Sequence, residues 1–203
     1  MNPSLVFVVI LAYFLGGIPF GYVFVRFAMG KDIRTLGSGN IGATNVHRSA
    51  GHKAGVVVLL LDIAKGFLAV WLAALITHNS PEALALAAIA VMLGHAFPIL
   101  LRFRGGKAVA CFIGAFLYIA PLALLAVLVV FVVVVAFSKF ISLGSIAAAI
   151  LFPIAVWQIM HPAPPILIAA VLAALLIVLR HRGNIERLVA GTENVFSLRG
   201  RRS

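Results

Sequence analysis

Long apolar stretches alternate with short polar connectors along the whole chain. Each apolar stretch is near or above the length that a helix needs to cross about 30 Å of hydrocarbon, at a rise of ~1.5 Å per residue. Because lipid satisfies no backbone polar group, such stretches cross a bilayer as helices. The pattern predicts an all-α integral membrane protein with apolar stretches at residues 5–27, 55–77, 83–101, 108–137, 141–158 and 165–180.

The fourth stretch, residues 108–137, admits two interpretations. As a single helix of about 30 residues it would be ~45 Å long, and Pro121 near its middle would interrupt the hydrogen-bond pattern. One strongly tilted helix gives six spans. Two short helices, about 108–120 and 122–137, give seven spans.

The distribution of lysine and arginine separates these interpretations. With seven spans and the N-terminus outside, the connectors 78–82 and 159–164, which contain no Lys or Arg, face outward. The basic segments then share the cytoplasmic side, as the positive-inside rule requires. Six spans would put the arginine-rich tail outside. We therefore expect seven transmembrane helices, two short ones around Pro121, and a cytoplasmic C-terminus.

Composition agrees with a membrane protein and bounds its partners. The chain is 64% hydrophobic and 10% charged, with a mean hydropathy of +1.18, whereas soluble domains are about 45–50% apolar. The net charge of +11 lies in connectors and the tail, so we expect no nucleic-acid partner. We also expect one domain over residues 1–203 and no obligate protein partner.

The only cysteine, Cys111, lies in an apolar stretch. We expect it to be a small core residue, and we expect neither a disulfide nor a metal site. The first residues lack the positive region of a cleaved signal peptide, so the first helix should be retained.

The first polar segment, residues 28–54, contains GSGNIGATNVHR at residues 37–48. Its glycines match G-x-G-x-x-G, but that spacing indicates a dinucleotide site only after a strand in a βαβ unit. Glycines make backbone amides approachable, and a guanidinium can hold two phosphate oxygens. The segment therefore indicates an anion site, although a flexible, solvated loop is the alternative.

The second polar segment, GHAFPILLRFRGGK at residues 94–107, ends with two glycines and a lysine just before an apolar helix. A helix N-terminus attracts anions through its unpaired N–H groups. The alternative is a topology signal, since basic residues anchor any cytoplasmic connector. His95, near the end of a span, fits a site residue and a core residue equally well.

The third polar segment, residues 181–203, begins within RHRGNIERLVAGTEN at residues 180–194 and combines His181, Asn184 and Glu193. A solvated juxtamembrane helix is the alternative interpretation. Because the seven-span topology places all three polar segments on one face, we expect them to share a site.

Asp62 and Lys65 lie inside a predicted span, where ionisable residues are costly. At i and i+3 they can pair on one helix face. We favour a structural pair near the cytoplasmic third over a direct catalytic role.

The three segments, with LLDIAKG at residues 60–66, resemble the signature blocks of the bacterial acyl-phosphate:glycerol-3-phosphate acyltransferases. Order, spacing and length agree along the whole chain. The resemblance implies a seven-helix inner-membrane enzyme with a cytoplasmic active site and no cofactor. Its expected reaction transfers a fatty acyl group from acyl phosphate to the 1-hydroxyl of glycerol 3-phosphate, giving lysophosphatidate and phosphate, the first acylation of bacterial phospholipid synthesis.

The resemblance also implies roles for individual residues. Ser38, Arg48, His181 and Asn184 would be catalytic, and Asp62, Lys65, His95 and Glu193 would give structural support. Glycerol 3-phosphate would be bound by Ser38, Arg48, Gly105, Gly106 and Lys107, and acyl phosphate by Gly39, Asn40, Thr44 and Asn45.

Two features bear on these roles. The family's second block usually ends G-G-K-G, whereas Ala108 stands here. Because position 108 would already lie in the helix, we expect a small effect.

The sequence leaves open whether His181 or the substrate phosphate removes the proton from the attacking hydroxyl.

The residues fit this chemistry without a nucleophile triad. Acyl phosphate is a mixed anhydride with a good leaving group, so positioning and charge stabilisation can supply most of the catalysis. No histidine is followed five residues later by aspartate, which excludes the histidine–aspartate mechanism of other glycerol-phosphate acyltransferases.

Two non-enzymatic classes compete with this interpretation. A small transporter of an anionic metabolite would need inverted repeats and polar groups at mid-membrane in both halves. Only Asp62 and Lys65 qualify, and both lie in one half. A lipid-binding scaffold would leave the clustered serine, asparagine, histidine and arginine residues without a role.

Overall fold

The computed structural model describes residues 3–196, which fold into α-helices without a strand in that range. Residues 1–2 and 197–203, including the end of the predicted cytoplasmic tail, lie outside the described part. Short 3₁₀ turns occur at Ile33–Thr35 and Ile99–Leu101. The helices are α1 (Pro3–Gly16), α2 (Phe20–Met29), α3 (Ala43–Ala50), α4 (His52–Thr77), α5 (Pro81–Ala96), α6 (Val109–Ile119), α7 (Pro121–Ser138), α8 (Ile141–Met160), α9 (Pro164–Arg180) and α10 (Arg182–Val189).

The helices confirm a membrane-spanning fold by length and composition. Helix α6 is apolar but has 11 residues, about 16 Å, roughly half of the hydrocarbon thickness. Helices α9 and α10 qualify together as a sixth span, with a bend of 55° between them. The five spans that qualify alone are Pro3–Met29, His52–Thr77, Pro81–Leu101, Pro121–Ser138 and Ile141–Met160.

The first span is broken in its interior, which the hydropathy pattern did not indicate. Helix α1 ends at Gly16 and α2 begins after Pro19, whose ring nitrogen has no hydrogen to donate. The Lys65 ammonium donates to the carbonyl of Ile18 within the break, at 2.7 Å. The same carbonyl also accepts from the Phe20 amide at 3.2 Å, so the buried lysine adds a second donor at the break.

The fourth apolar stretch forms two helices, as the charge distribution predicted. Helix α6 ends at Ile119, and Pro121 is the first residue of α7, a position where its missing N–H costs nothing. Helix α6 lies inside the bundle, where the rings of Phe112 and Phe116 each pack edge-to-face on Phe152 of α8, with 4.7 Å between ring centroids. Most of α7 faces outward.

Close helix packing holds the bundle together. Helix α4 packs on α6, α1 on α5, and α8 on both α7 and α9. Side chains at Gly66 or Gly114 would overlap the backbone of the facing helix, so these glycines permit the close α4–α6 approach. Cys111 is buried in this interface, which confirms its expected place in the core.

Candidate active site

A cavity of about 350 Å³ lies where the three polar segments meet. Its lining combines polar and apolar side chains. Ser38, Asn40, Thr44, Arg48, Lys107, His181, Asn184 and Glu193 contribute to the polar part, and Phe112, Ile113, Val127, Leu128, Ala148, Ala149 and Ile177 line the apolar part. The structure thus brings together residues from all three segments. A cavity of this size and amphipathic lining suits a ligand with a charged head and an apolar tail.

A chain of hydrogen bonds joins the second and third segments at the cavity. The Lys107 ammonium donates to Asn184 Oδ1 at 2.5 Å, and Asn184 Nδ2 donates to Glu193 Oε1 at 2.8 Å. The carboxamide orientation is therefore determined at both ends, because one atom accepts and the other donates. Asn184 positions the ammonium of Lys107 relative to the cavity.

Glu193 is the centre of a buried polar cluster. Its side chain is 4% exposed and accepts hydrogen bonds from Ser142 at 3.1 Å and Arg187 at 2.8 Å, in addition to Asn184. Three donors offset the desolvation of this carboxylate. Sequence reasoning missed Ser142, since a serine at the start of an apolar helix carries no signal for a partner 51 residues away.

The charge of Lys107 is sensitive to pH. Burial lowers the pKa of Lys107 to about 8, and the nearby positive charges of Arg187, Arg48 and Arg180 act in the same direction, while Glu193 opposes them. An anion in the cavity would favour the charged ammonium and so raise this pKa. Lys107 therefore couples its protonation to anion binding.

Arg48 lies at the rim of the cavity on helix α3. The alternative of a flexible, solvated loop does not hold for residues 43–50, which form a helix after the glycine-rich turn. The Arg48 side chain is exposed, and no hydrogen bond or ion pair within residues 3–196 occupies its guanidinium. Its planar fork is available to a bound anion.

Asn45 organises the glycine-rich turn from within. It is 1% exposed and accepts from the Ser38 amide at 2.9 Å, while its Nδ2 donates to the carbonyls of Leu36 and Asn40 at 2.9 and 2.8 Å. Gly37 and Gly39 have φ of +54° and +70°, in the region that favours glycine. The Asn45 carboxamide thus holds the turn that carries Ser38 to the cavity.

Asn40 and Thr44, also predicted to bind acyl phosphate, both line the cavity. Asn40 Oδ1 accepts from the Gly42 amide at 2.8 Å, a local bond typical of asparagine in turns. Thr44 lines the cavity from the first turn of α3.

The amides of Gly105 and Gly106 are not available to an anion, contrary to the expectation of unpaired N–H groups. Gly105 donates to the carbonyl of Ala96 at 3.2 Å and Gly106 to that of His95 at 3.0 Å. A Cβ at Gly105 would overlap that His95 carbonyl, and one at Gly106 would overlap the His95 ring. The glycines therefore serve close packing against α5.

The unpaired amides that were expected at Gly105 and Gly106 occur instead in the residues that follow them. Within the described part of the chain, no protein acceptor binds the amides of Lys107, Ala108 and Val109, as is usual at a helix N-terminus. These residues line the cavity. The helix N-terminus thus presents donors to an anion one residue later than expected.

The expectation that Ala108 lies inside the helix is wrong. Ala108 is the N-cap residue of α6, with φ +62° and ψ 4°. An L-residue in this left-handed conformation is strained by about 1–2 kcal/mol relative to glycine. The departure from the usual glycine therefore falls where glycine fits best. The methyl group is fully buried, which offsets part of that strain.

Asp62 and Lys65 form the buried i,i+3 pair that the sequence predicted, with 2.8 Å between Nζ and Oδ1. His95 Nδ1 lies 3.7 Å from the same oxygen. The ligand atoms of Asp62, His95 and Cys111 lie within 4.8 Å of one another, which is close enough for a metal ion. The adjacent Lys65 ammonium would repel that ion, so these residues fit an ion pair better than a metal site.

His181 joins α9 to α10 at the cavity wall and is 3% exposed. Its Nδ1 lies 2.7 Å from the carbonyl oxygen of Ile177. Because a carbonyl only accepts, Nδ1 carries the proton in this bond. In a neutral imidazole the other nitrogen, Nε2, is then the hydrogen-bond acceptor.

Comparison with known proteins assigns this architecture to a family. A profile of the glycerol-3-phosphate acyltransferase family matches residues 6–191. The chain is 45% identical to a glycerol-3-phosphate acyltransferase of Trichlorobacter lovleyi, over 91% of this chain and 94% of that protein.

Two crystal structures of PlsY, an integral membrane glycerol 3-phosphate acyltransferase, are similar in fold. The glycerol 3-phosphate form gives a TM-score of 0.90 at 38% identity, and the lysphosphatidic acid form gives 0.88 at 36% identity. Each comparison covers 96% of both chains. The chain is an integral membrane acyltransferase and belongs to the glycerol-3-phosphate acyltransferase family.

Proposed function

We propose that this enzyme transfers a fatty acyl group from acyl phosphate to the 1-hydroxyl of glycerol 3-phosphate, giving lysophosphatidate and phosphate. The observation that supports this proposal most strongly is that one cavity is lined by the cations Arg48 and Lys107 and by a set of apolar side chains. Both substrates are anionic, and one has a long apolar tail. The glycerol 3-phosphate and lysphosphatidic acid forms of the similar PlsY structures support this choice of acceptor and product.

The phosphate of glycerol 3-phosphate binds between Arg48 and Lys107 in this proposal. Arg48 supplies a planar fork, and Lys107 supplies an ammonium held by Asn184. The Ser38 hydroxyl lies on the same cavity wall and binds a glycerol oxygen. Gly105 and Gly106 contribute by placing Lys107, because their own amides donate to α5.

Acyl phosphate binds with its head at the glycine-rich turn and its tail in the apolar part of the cavity. Asn40 and Thr44 line the cavity and contact the head. Gly39 is not among the lining residues, and it acts with Asn45 through the shape of the turn. The tail lies among α6, α7 and α8, lined by residues such as Phe112, Val127 and Ala149.

The reaction then needs no covalent enzyme intermediate. The 1-hydroxyl oxygen attacks the carbonyl carbon of the mixed anhydride, a new ester C–O bond forms, and the C–O bond to phosphate breaks. Arg48, Lys107 and the free helix amides stabilise the negative charge that develops. The hydroxyl proton passes to His181 Nε2 or to a substrate phosphate, and inorganic phosphate leaves.

The proposed setting is the bacterial inner membrane, with seven spans and the site facing the cytoplasm. Helix α6 would be the short seventh span, and the lysine and arginine distribution supports the orientation. In a Cys111→Ala background, His78→Cys should react with an impermeant thiol reagent added outside, whereas Arg104→Cys should not. Outside labelling of Arg104→Cys alone would reverse the orientation.

A donor comparison tests the proposed reaction. Purified enzyme in detergent or nanodiscs is given glycerol 3-phosphate with palmitoyl phosphate, palmitoyl-CoA or palmitoyl-acyl carrier protein, and the 1-acyl product and free phosphate are measured. We expect product only with palmitoyl phosphate, with one phosphate released per ester formed. Equal or faster product formation from palmitoyl-CoA would exclude the proposed donor.

A further inference from the structure

Arg180, the last residue of α9, binds the backbone of the Gly105–Gly106 segment with both sides of its guanidinium. Nε donates to the carbonyl of Gly106 and Nη2 to that of Gly105, each at 3.0 Å. The guanidinium also lies 5.0 Å from the ring centroid of Phe97. A planar fork suits two neighbouring carbonyl oxygens, and an ammonium cannot match both positions at once.

Every backbone hydrogen-bonding group of Gly105 and Gly106 is thereby used within the protein. The two amides donate to the C-terminal carbonyls of α5, and the two carbonyls accept from Arg180. The segment is held from both sides, between α5 and α9. The next residue, Lys107, carries the ammonium that reaches Asn184.

Arg180 also connects two functional parts of the chain. It directly precedes His181 and lies three residues before Gly183 and four before Asn184. The same helix end therefore fixes the segment that carries Lys107 and the residues that Lys107 meets. Within residues 3–196, Arg180 is not among the residues that line the cavity.

We infer that Arg180 is a positioning residue, whose fork on the Gly105 and Gly106 carbonyls sets the place of the Lys107 ammonium in the substrate site. This inference rests on the proposed function, because it concerns the binding of glycerol 3-phosphate. Arg180 acts through Lys107 and does not bind the substrate phosphate. Its effect depends on fork geometry rather than on charge alone.

Steady-state kinetics of three variants test this inference. Arg180→Ala should raise KM for glycerol 3-phosphate about tenfold or more and leave KM for acyl phosphate within about twofold, since misplacing a group by about 1 Å can reduce rates about a hundredfold. Arg180→Lys keeps the charge but reaches only one carbonyl, so it should restore little. Arg182→Ala is the matched control, because Arg182 is an exposed arginine two residues away, and it should behave like the wild type.

Two kinetic outcomes would overturn the inference. Full rescue by Arg180→Lys would show that charge suffices. Equal changes in both KM values would show a general structural role.

The pH profile adds a third readout, because loss of the Arg180 charge and freer access of water both raise the pKa of Lys107. The alkaline fall in kcat/KM should therefore move to higher pH in Arg180→Ala and stay in place in Arg182→Ala.

Hydrogen exchange gives a readout that does not need activity. The Gly105 and Gly106 amides should be protected in the wild type and exchange at least about tenfold faster in Arg180→Ala, while the spans α4 and α8 exchange as in the wild type. Unchanged protection would contradict the inference even if the enzyme were active. An inactive wild type with this exchange pattern would instead refute the proposed reaction, while the role of Arg180 in holding the Gly105–Gly106 backbone would stand.

Discussion

The ammonium of Lys107 lies 2.5 Å from the side-chain oxygen of Asn184, a residue 77 positions later in the chain. This contact joins the start of α6 to helix α10 across the cavity. Asn184 in turn donates to Glu193, so a single carboxamide links the cation of the site to a buried carboxylate. The site depends on that link for the position of its positive charge.

The pKa of Lys107 predicts how substrate affinity depends on pH. Because burial lowers this pKa to about 8, the ammonium is charged below pH 8 and loses its proton above it. A bound phosphate favours the charged form, so affinity is highest below pH 8. We expect KM for glycerol 3-phosphate to be nearly constant from pH 6.5 to 7.5 and to rise above pH 8 by up to about tenfold per pH unit.

The control for that pH dependence is Lys107→Arg, because arginine stays charged throughout this range. Its KM should be higher at neutral pH but flat between pH 8 and 9.5. A flat profile in the wild type would mean that Lys107 does not titrate in the free enzyme or does not contact the phosphate.

Glu193→Gln tests the buried cluster that holds Asn184. Glutamine offers one carbonyl oxygen in place of two carboxylate oxygens, and its amide group would face a donor from Asn184 or Arg187. We expect kcat/KM to fall about tenfold or more, the size of a coupling of ~1.4 kcal/mol within one network. Glu186→Gln is the control, because Glu186 is an exposed glutamate on helix α10, before the segment that carries Glu193. It should stay within about twofold of the wild type, and an equal loss in both variants would refute a specific role of Glu193.

Hydropathy and the charge distribution predicted the helical membrane fold of this protein but not the side-chain contacts within its site. The break at Pro121 and the Asp62–Lys65 pair follow from local rules, namely proline chemistry and i,i+3 geometry. The interruption of the first span at Pro19 was missed, because the break is stabilised by Lys65, far along the chain. Hydropathy averages over a window and does not register such a bond.

Among the site residues, too, local sequence signals were recognised but contacts between distant residues were not. Gly105 and Gly106 were recognised as special, but their spacing does not distinguish amides that bind an anion from amides that bind α5. Asn45 was assigned to a substrate by resemblance, whereas its carboxamide holds the turn around it. Ser142 and Arg180 carried no local signal, because their partners lie 51 and about 75 residues away.

Ala108 gives a prediction in which opposing effects nearly cancel. Ala108→Gly removes about 1–2 kcal/mol of left-handed strain, but it also removes a buried methyl worth ~0.8 kcal/mol and adds ~0.4–1 kcal/mol of unfolded-state entropy. We expect its free energy of unfolding to stay within about 1 kcal/mol of the wild type. Ala108→Val combines a β-branched residue with overpacking, so it should lose about 2 kcal/mol or more and lower Tm by several degrees.

Thermal or denaturant unfolding in detergent distinguishes these two variants of Ala108. A large gain in stability for Ala108→Gly would show that the left-handed strain dominates. Wild-type stability of Ala108→Val would contradict the left-handed N-cap altogether.

His181 competes with the substrate phosphate as the group that takes the hydroxyl proton. Since acyl phosphate needs little activation of its nucleophile, we expect His181 mainly to orient the substrate. Glutamine retains a hydrogen-bonding group at similar reach but is not an imidazole base, so His181→Gln should keep kcat within about tenfold. His181→Ala should mainly raise KM for glycerol 3-phosphate. A fall in kcat of about a hundredfold or more in both variants would instead identify His181 as the general base.

The most direct test of the central claim is equilibrium binding of glycerol 3-phosphate to purified enzyme without an acyl donor, measured by calorimetry at pH 7. The claim is that Arg48 and Lys107 together hold the substrate phosphate. Arg48→Ala and Lys107→Ala should each weaken Kd at least about tenfold, Arg48→Lys should recover only part of that loss because an ammonium lacks the fork, and Arg182→Ala should bind like the wild type. Wild-type affinity in folded Arg48→Ala or Lys107→Ala would contradict the account.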